Sequence, residues 1–255
     1  MSTETCDFRL PRRSLPAEPN VRFHLFGQVL FDDMANLQRR LAYEAGSRDD
    51  GTITVLLCEH EPLITVGRSG LPSHVHLSAE QLADMNLEVA PVHRGGGCIL
   101  HGPGQLAISA VVPLTRLHWS PGSYLRRLQT GVKEGLAKLA VPVQTRSHRF
   151  GLWGNSGLLA AFGIAVRHGI TTFGGYVNVC PEMSDFSQIE SAPGDSLPTM
   201  GSLLSESASA SRMGVVRTSL VNSLAHHFGC ERHEVFTGHP LLPVDPNFTR
   251  ELAAA

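Results

Sequence analysis

The sequence predicts an α+β fold in which helices flank a mixed, largely antiparallel sheet. Strand-like apolar runs and amphipathic helical stretches follow one another without a regular strand–helix–strand repeat. Two apolar runs, residues 158–166 and 171–179, are separated by a short step that contains Gly169, which predicts an antiparallel hairpin. With 255 residues and 42% hydrophobic content, the chain is long enough to bury a sizeable core.

Each element is predicted from the spacing of its apolar residues together with capping and turn signals. The predicted strands are residues 21–25, 53–57, 87–93, 106–113, 158–166 and 171–179. The predicted helices are residues 29–45, 78–86 (which opens with a capping box), 121–139 and 213–228. These elements form one predicted domain, residues 21–237, between a loose N-terminal arm at 1–20 and an irregular tail at 238–255.

Composition excludes several classes of protein. A formal net charge of −2 gives no electrostatic footprint for nucleic acid or for an anionic membrane surface. The first 20 residues lack the apolar region of a secretory signal, and no apolar run is long enough to span a bilayer, so we expect a soluble, cytoplasmic protein. Five scattered cysteines without a CxxC pair argue against a disulfide framework and a structural zinc site.

The most informative segment is residues 94–105, which read RGGGCILHGPGQ. Glycine permits positive φ and lets a ligand approach bare backbone. An arginine beside the glycines adds a fixed cation with five donors. A loop of this composition is typical of a site that holds an elongated or anionic ligand against the main chain.

Three segments together resemble the octanoyltransferases of lipoate synthesis. They are residues 94–105, residues 58–70 (CEHEPLITVGRSG) and residues 158–169 (LLAAFGIAVRHG). The resemblance runs from about residue 21 to about residue 228 and implies the fold shared by lipoate ligases, biotin ligases and octanoyltransferases. It implies transfer of an octanoyl group from acyl carrier protein to a lysine of a lipoyl domain. The lipoyl domains concerned belong to 2-oxoacid dehydrogenases or are the glycine cleavage H protein, and no cofactor is implied.

The family reaction passes through a thioester on an enzyme cysteine whose pKa a nearby lysine lowers. In this chain both positions differ, because Leu158 stands at the family lysine and Ala192 at the family cysteine. Phe173 stands at the family histidine of the second hairpin strand. The loss of all three side chains, with the glycine loop intact, indicates a changed use of the pocket.

Cys180 is the first candidate for a relocated nucleophile. Counting across the hairpin places it opposite residue 157 or 158, where the family lysine would lie. The alternative, which we favour, is a buried strand residue whose thiol pKa is raised because no cation lies beside it. Cys98, in the glycine loop, is the second candidate, with a small apolar slot-filler as the favoured alternative. His74 and His76 lack a third ligand nearby, so no metal site is predicted.

The resemblance also implies two walls of an acyl-binding pocket, one formed by the glycine loop and one by the hairpin. The predicted lining residues are Arg94, Gly95, Gly96, Gly97, Cys98, Ile99, Leu100, His101, Ala161, Phe162, Gly163, Gly174, Gly175 and Tyr176. Tyr176 replaces a small family residue, so we expect a shorter or differently shaped slot.

Three functions compete at this point. The first is an octanoyltransferase or related acyltransferase that uses a displaced thiol. The second is a catalytically inactive member that binds an acyl chain, acyl carrier protein or a lipoyl domain. The third, an adenylate-forming lipoate or biotin ligase, is the weakest, since Leu158 cannot replace the lysine that grips the carboxylate and phosphate.

Overall fold

The computed structural model describes residues 19–48, 50–146, 149–184, 186, 189, 199–230, 233–242, 244 and 248, with the backbone alone at residues 149 and 150. Within these residues, no helix is long and apolar enough to cross a membrane. Ala192 and nearly all of the predicted loose arm lie outside the described residues.

Strands and helices are numbered in chain order. The strands are β1 (Pro19–Val29), β2 (Gly51–His60), β3 (Leu63–Val66), β4 (Glu88–Pro91), β5 (Cys98–His101), β6 (Gln105–Val111), β7 (Gln144–Arg146), β8 (Arg149–Trp153), β9 (Leu158–Arg167), β10 (Ile170–Asn178) and β11 (His233–Thr237). The helices are α1 (Phe31–Ser47), α2 (Ala79–Asp84), α3 (Leu114–Leu117), α4 (Pro121–Lys138), α5 (Leu203–Glu206) and α6 (Met213–His227), with 3₁₀ turns at Pro72–His74 and Ala208–Ser211.

The larger sheet has eight strands in the order β11-β1-β2-β6-β10-β9-β8-β7. Strand β1 pairs in parallel with both β2 and β11. Every other neighbouring pair in this sheet is antiparallel. The predicted α+β class, with a mixed and largely antiparallel sheet, is therefore confirmed.

Helices cover both faces of this sheet. On one face α1 buries Met34, Leu37 and Leu41 against β2, β6 and β10. On the other face α4 and α6 pack over the main core and approach each other closely. A Cβ atom built on Gly135 of α4 would come within 2.8 Å of the Leu220 side chain of α6, so a glycine here permits the close crossing.

A second, three-stranded sheet in the order β4-β3-β5 holds the two ends of the glycine loop. Strand β4 leads into the loop and β5 leaves it, and β3 lies between them. The sequence predicted the strand before the loop but neither β3 nor β5. Each of these two strands has four residues, too few to show a clear period.

The long predicted elements are confirmed with small shifts at their ends. Strand β1 begins at Pro19, two residues before the prediction, and ends at Val29 rather than near residue 25. The segment after β11, predicted to be irregular, packs on the core where it is described. Phe248 is buried and lies against Gly27, where a built Cβ would be 3.0 Å from the Phe248 Cβ.

Candidate functional site

The glycine loop is held between the hairpin and the turn that follows β3. The Gly95 N–H donates to the Ile164 carbonyl of β9 at 3.0 Å. On the other side, the N–H groups of Arg68 and Ser69 donate to loop carbonyls, each at 3.0 Å. A Cβ on Gly163 would lie 2.4 Å from the Gly95 oxygen, so only glycine at 163 allows this close approach. The loop therefore contacts the hairpin directly through its main chain.

Arg94 supports the loop from inside the protein. Its side chain is fully buried, and Nη1 donates to the carbonyls of Gly95 and Gly97 at 3.1 Å. Nη2 donates to the Thr65 carbonyl at 3.1 Å and to its Oγ1 at 2.6 Å. Arg94 was expected to offer its donors to a ligand. Its guanidinium instead donates to carbonyl groups that would otherwise be buried without a hydrogen-bond partner. Burial lowers the pKa of Arg94, yet a guanidinium remains charged.

A chain of buried polar side chains continues from Arg94 towards the start of the hairpin. Thr65 Oγ1 lies 2.9 Å from His101 Nε2, and His101 Nδ1 lies 2.8 Å from Gln105 Oε1. Gln105 Nε2 donates to Asn178 Oδ1 at 3.0 Å, and Asn178 Nδ2 donates to the Gly201 carbonyl at 3.1 Å. We refer to Arg94, Thr65, His101, Gln105 and Asn178 as the polar network.

The polar network assigns the tautomer of His101. Gln105 presents Oε1, an acceptor, so His101 must carry its proton on Nδ1. Nε2 then accepts from the Thr65 hydroxyl, which itself accepts from Arg94. Burial, with the positive charge of Arg94 adding to it, holds the pKa of His101 well below its usual value, so the ring is neutral. Each hydrogen bond between these side chains joins a donor to an acceptor, and the polar network is therefore rigid.

Glu59 joins the two motifs that flank this network. Its Oε2 accepts from the Gly104 N–H at 2.8 Å, and its Oε1 accepts from Arg217 Nη2 at 2.9 Å. Gly104 has φ of +82°, and a Cβ there would lie 2.5 Å from the Cys180 oxygen. The Gly-Pro-Gly turn is thus fixed against the end of β10.

The start of the hairpin contrasts with this polar arrangement. Leu158, which the sequence predicts at the family lysine position, is 5% exposed. A Cβ built on Gly151 would lie 2.5 Å from the Leu158 Cδ1. Its main chain is bonded on both sides, the N–H to the Thr199 carbonyl and the carbonyl to the Gly201 N–H. The Leu158 side chain is thus apolar and closely packed, and it carries no charge that could lower the pKa of a thiol.

Cys180 lies at the rim of the site and is exposed. The favoured alternative of a buried strand residue is therefore wrong, because the strand ends at Asn178 and residue 180 follows it. The pairing of the hairpin ends at Val177 with Ala160, and the Cys180 N–H donates to the Gly104 carbonyl, so the predicted position opposite residue 157 or 158 is not part of the ladder. The pKa of Cys180 is raised, first by partial burial and then by the charge of Glu59, in the direction that the sequence predicted.

The other thiols among the described residues are buried. Cys98 is fully buried with its Sγ 3.7 Å from the Leu71 carbonyl, which fits a slot-filling role. Sequence reasoning missed a buried thiol–imidazole contact, Cys58 Sγ to His60 Nε2 at 3.7 Å. His60 Nδ1 lies 3.0 Å from the Val29 carbonyl, so Nε2 is the acceptor. The signal was the i, i+2 spacing of Cys58 and His60 on one strand, which places both on one face. Burial raises the pKa of Cys58 and lowers that of His60, so the pair is neutral.

The hairpin wall of the predicted pocket is only partly open. Ala161 and Phe162 are half-buried, but Gly174 and Gly175 are buried. A Cβ on Gly174 would lie 2.2 Å from the Ile108 oxygen, and one on Gly175 would lie 2.7 Å from the Phe162 ring. These two glycines are explained by crowding between strands and not by an open slot, which corrects their prediction as pocket-lining residues.

Tyr176 lies between the two predicted walls. It is 5% exposed, and its ring centroid is 4.5 Å from that of His101. The Arg94 Cζ lies 5.9 Å from the same ring.

Among the described residues, no group of three or more His, Cys, Asp or Glu side chains could hold a metal. His74, one of the two histidines considered for a metal, accepts from the Leu71 N–H through Nδ1 at 3.1 Å.

Solved structures share this fold. Protein Ta0514 of T. acidophilum, solved with bound lipoic acid, superposes with a TM-score of 0.67 at 14% identity, over 92% of this chain and 95% of that chain. P. falciparum LipL1 in complex with lipoate superposes with a TM-score of 0.65 at 11% identity, over 92% of this chain and 70% of that chain. At these identities the likeness defines the class of fold, that of the lipoate protein ligases.

Sequence comparison then gives the family. The model of the lipoyl protein ligase A/B catalytic domain matches residues 33–222. An octanoyltransferase of Geotalea uraniireducens is 34% identical over 165 residues, which is 64% of this chain and 72% of that protein. An octanoyltransferase of Chloroflexus aggregans is 32% identical over 209 residues, which is 81% of this chain and 93% of that protein. The chain belongs to the octanoyltransferase family, within the lipoyl protein ligase A/B catalytic domain group.

Proposed function

We propose that this protein transfers an octanoyl group from acyl carrier protein to the lysine of a lipoyl domain. The acceptors are the lipoyl domains of 2-oxoacid dehydrogenases or the glycine cleavage H protein, and we place the reaction in the cytoplasm. The observation that carries the proposal is the buried polar network beneath the glycine loop, in a chain of the octanoyltransferase family. The relatives compared are named octanoyltransferases, which supports transfer and gives no support to the alternative of an inactive member.

The proposed role of the glycine loop is to hold the acyl donor by its main chain. Gly96 is exposed with φ of +87°, and Ile99 and Ala161 are half-buried apolar residues. The polar network fixes the loop before the substrate arrives, which lowers the entropic cost of ordering the complex. The residues of the two walls that are exposed or half-buried therefore remain the proposed acyl-binding residues, namely Gly95, Gly96, Ile99, Ala161 and Phe162.

Cys180 is the proposed acyl acceptor, because it is an exposed thiol beside the Gly-Pro-Gly turn. Its thiolate would attack the thioester carbonyl of octanoyl-acyl carrier protein, form a new thioester, and release the carrier thiol with a proton. The lysine amine would then attack that thioester, expel the Cys180 thiolate and lose a proton as the amide forms. Since the pKa of Cys180 is raised, we expect acyl-enzyme formation to be slow at neutral pH and to accelerate as pH rises.

The test is incubation with octanoyl-acyl carrier protein followed by intact-mass spectrometry, first alone and then with an apo lipoyl domain. We expect an octanoyl adduct that hydroxylamine removes, mapped to Cys180, and an octanoylated lipoyl domain when the acceptor is added. The variants Cys180→Ala and Cys98→Ala separate the two thiols, with loss of the adduct expected only for Cys180→Ala.

Three results would overturn parts of this proposal. Unchanged octanoylation of the lipoyl domain by Cys180→Ala would keep the activity and reject Cys180 as the acceptor. Binding of octanoyl-acyl carrier protein without any octanoylated lipoyl domain, at any pH up to 9, would reject transfer and assign a binding role. A wild-type reaction that proceeds only with free octanoate and ATP would point to ligase chemistry.

A further inference from the structure

Tyr176 occupies a row of otherwise small side chains that crosses the sheet. Across β6, β10 and β9 the register aligns Ala107 with Tyr176 and Tyr176 with Ala161. On β2, Cys58 is aligned with Ala107. Residues directly opposite one another in paired strands project to the same face. Tyr176 is therefore the large member of a row whose two nearest neighbours are alanines.

The tyrosine ring fills the space that this row would otherwise leave beneath the glycine loop. It contacts the ring of His101 at a centroid distance of 4.5 Å, and Arg94 lies on it with Cζ at 5.9 Å. It also belongs to the apolar cluster under α1 that includes Met34 and Ala107. The ring is thus packed between the buried His101 and the apolar cluster under α1.

The groups that surround the ring are fixed. His101 is bonded through both ring nitrogens, and both terminal nitrogens of Arg94 are bonded to protein acceptors. Arg94 Nε is a buried donor with no hydrogen-bond partner among the described residues. Polar and apolar groups therefore meet where the guanidinium lies over the Tyr176 ring. A ring held on one side by such groups and on the other by a packed core has little room to move aside.

We propose that Tyr176 is a specificity-determining residue that limits the length of the acyl chain the site accepts to about that of an octanoyl group. A chain that enters past Ile99 and Ala161 meets the tyrosine ring at the end of the slot. Further methylenes have to displace the ring into the core or remain in water. The inference rests on the proposed function for the identity of the acyl donor, and it is tested by binding alone.

The test is isothermal titration of the wild-type protein and its Tyr176 variants with hexanoate, octanoate, decanoate and dodecanoate below their micellar concentrations. For wild type we expect affinity to rise from hexanoate to octanoate and then to stay level or fall. For Tyr176→Ala we expect it to keep rising beyond octanoate by about fourfold per methylene, the value for burial of a CH₂ group. Tyr176→Phe keeps the volume of the ring and should behave as wild type.

Tyr176→Leu removes less volume and serves if the alanine variant does not fold, with a smaller gain expected for decanoate. Equal limits in wild type, Tyr176→Leu and Tyr176→Ala would overturn the inference. A wild-type affinity that keeps rising to dodecanoate, or no binding of any acid by any variant, would overturn it as well. Because octanoyl transfer to a lipoyl domain is measured separately, failure of transfer with the expected length limit would reject the proposed function and leave the role of Tyr176 standing.

Discussion

The two ends of the site differ in chemical character. Beneath the glycine loop, buried hydrogen bonds link the side chains of the polar network from Arg94 through His101 to Gln105. At the start of the hairpin, Leu158 is a packed apolar side chain and the exposed Cys180 has a raised pKa. One end is therefore a connected set of buried polar groups, while the other offers no charge that would lower the pKa of a thiol.

The difference follows from what each group contributes to folding. A buried polar group that loses its partner costs about 1–3 kcal/mol, so substitution of a single member of the network is opposed by stability as well as by function. The side chain of Leu158 carries no such polar constraint, since it packs against Gly151. The polar network is thus evidence for a stable fold around the glycine loop. Activity has to be tested at the start of the hairpin.

The largest effect that would distinguish the two ends is expected for Arg94→Met. The change removes four charge-assisted bonds to Thr65, Gly95 and Gly97 from a fully buried site. We expect the free energy of unfolding in urea to fall by about 4 kcal/mol, since hydrogen bonds to charged groups contribute about 1.5–3 kcal/mol each and are not additive.

The matched control is Arg40→Met, which breaks an exposed ion pair with Glu44 and should cost less than about 0.5 kcal/mol. Equal losses for Arg94→Met and Arg40→Met would contradict the assignment of Arg94 as the support of the loop.

The next effect is expected for Asn178→Asp, where the network reaches the hairpin start. The substitution is nearly isosteric but replaces the donor that faces the carbonyls of Leu158 and Gly201 by an acceptor. We expect a loss of about 3 kcal/mol in the free energy of unfolding, larger than that of Asn178→Ala, because a buried carboxylate would face two carbonyl oxygens. A smaller loss for Asp than for Ala would show that the amide orientation is the reverse of the one described.

A smaller effect is expected where the loop meets the hairpin. In Gly163→Ala the new methyl group would lie 2.4 Å from the Gly95 oxygen, whereas a Cβ on Gly102 would meet nothing within 4 Å. We expect Gly163→Ala to lower stability by about 1–3 kcal/mol through overpacking. Gly102→Ala should change it by less than about 1 kcal/mol. Thermal unfolding of both variants would check the contact, and equal melting temperatures would refute it.

How well each element was predicted from the sequence depends on how far apart in the chain its interacting residues lie. The hairpin of β9 and β10 was predicted within one residue at each end, because its strands pair locally around a short turn. Strand β11 was missed because its partner, β1, lies more than 200 residues away and its own residues are mostly exposed. Short strands such as β3 show no period and are defined by their neighbours.

For the site, the motif identified the loop but not how its side chains are used. Arg94 was expected to meet a ligand, yet it is bonded to Thr65, a residue 29 positions earlier in the segment 58–70, for which no role was predicted. The exposure of Cys180 depends on where β10 ends, and strand ends are poorly marked in sequence. The contact between Cys58 and His60 was visible as spacing only after the strand and its buried face were known.

A pH effect would test whether the buried rings of His60 and His101 are neutral. Burial lowers the pKa of His60 and His101 in the folded protein, whereas both rings in the unfolded chain bind protons as pH falls through about 6.5. The unfolded state therefore binds more protons below that pH, and stability that is complete above it is lost on acidification. We expect about 1.4 kcal/mol lost per pH unit for each histidine, and a smaller pH dependence in His101→Gln. The exposed His168→Gln in the hairpin turn is the control, and a pH dependence unchanged in His101→Gln would contradict a buried neutral ring.

The smallest effect is expected at the hairpin start itself, in the reactivity of Cys180. Partial burial and the negative charge of Glu59 raise the pKa of this thiol, so little thiolate is present at neutral pH. Removing that charge in Glu59→Gln should lower the pKa and increase alkylation of Cys180 by iodoacetamide at pH 7 by about twofold, since the thiolate is the reactive form. The peptide carrying Cys180 reports the rate by mass spectrometry, with exposed Glu182→Gln as the control for loss of a nearby carboxylate. Equal rates in all three proteins would mean that Glu59 does not influence the thiol. A faster rate in Glu59→Gln would instead show that the same carboxylate that holds Gly104 restrains the one exposed thiol among the described cysteines.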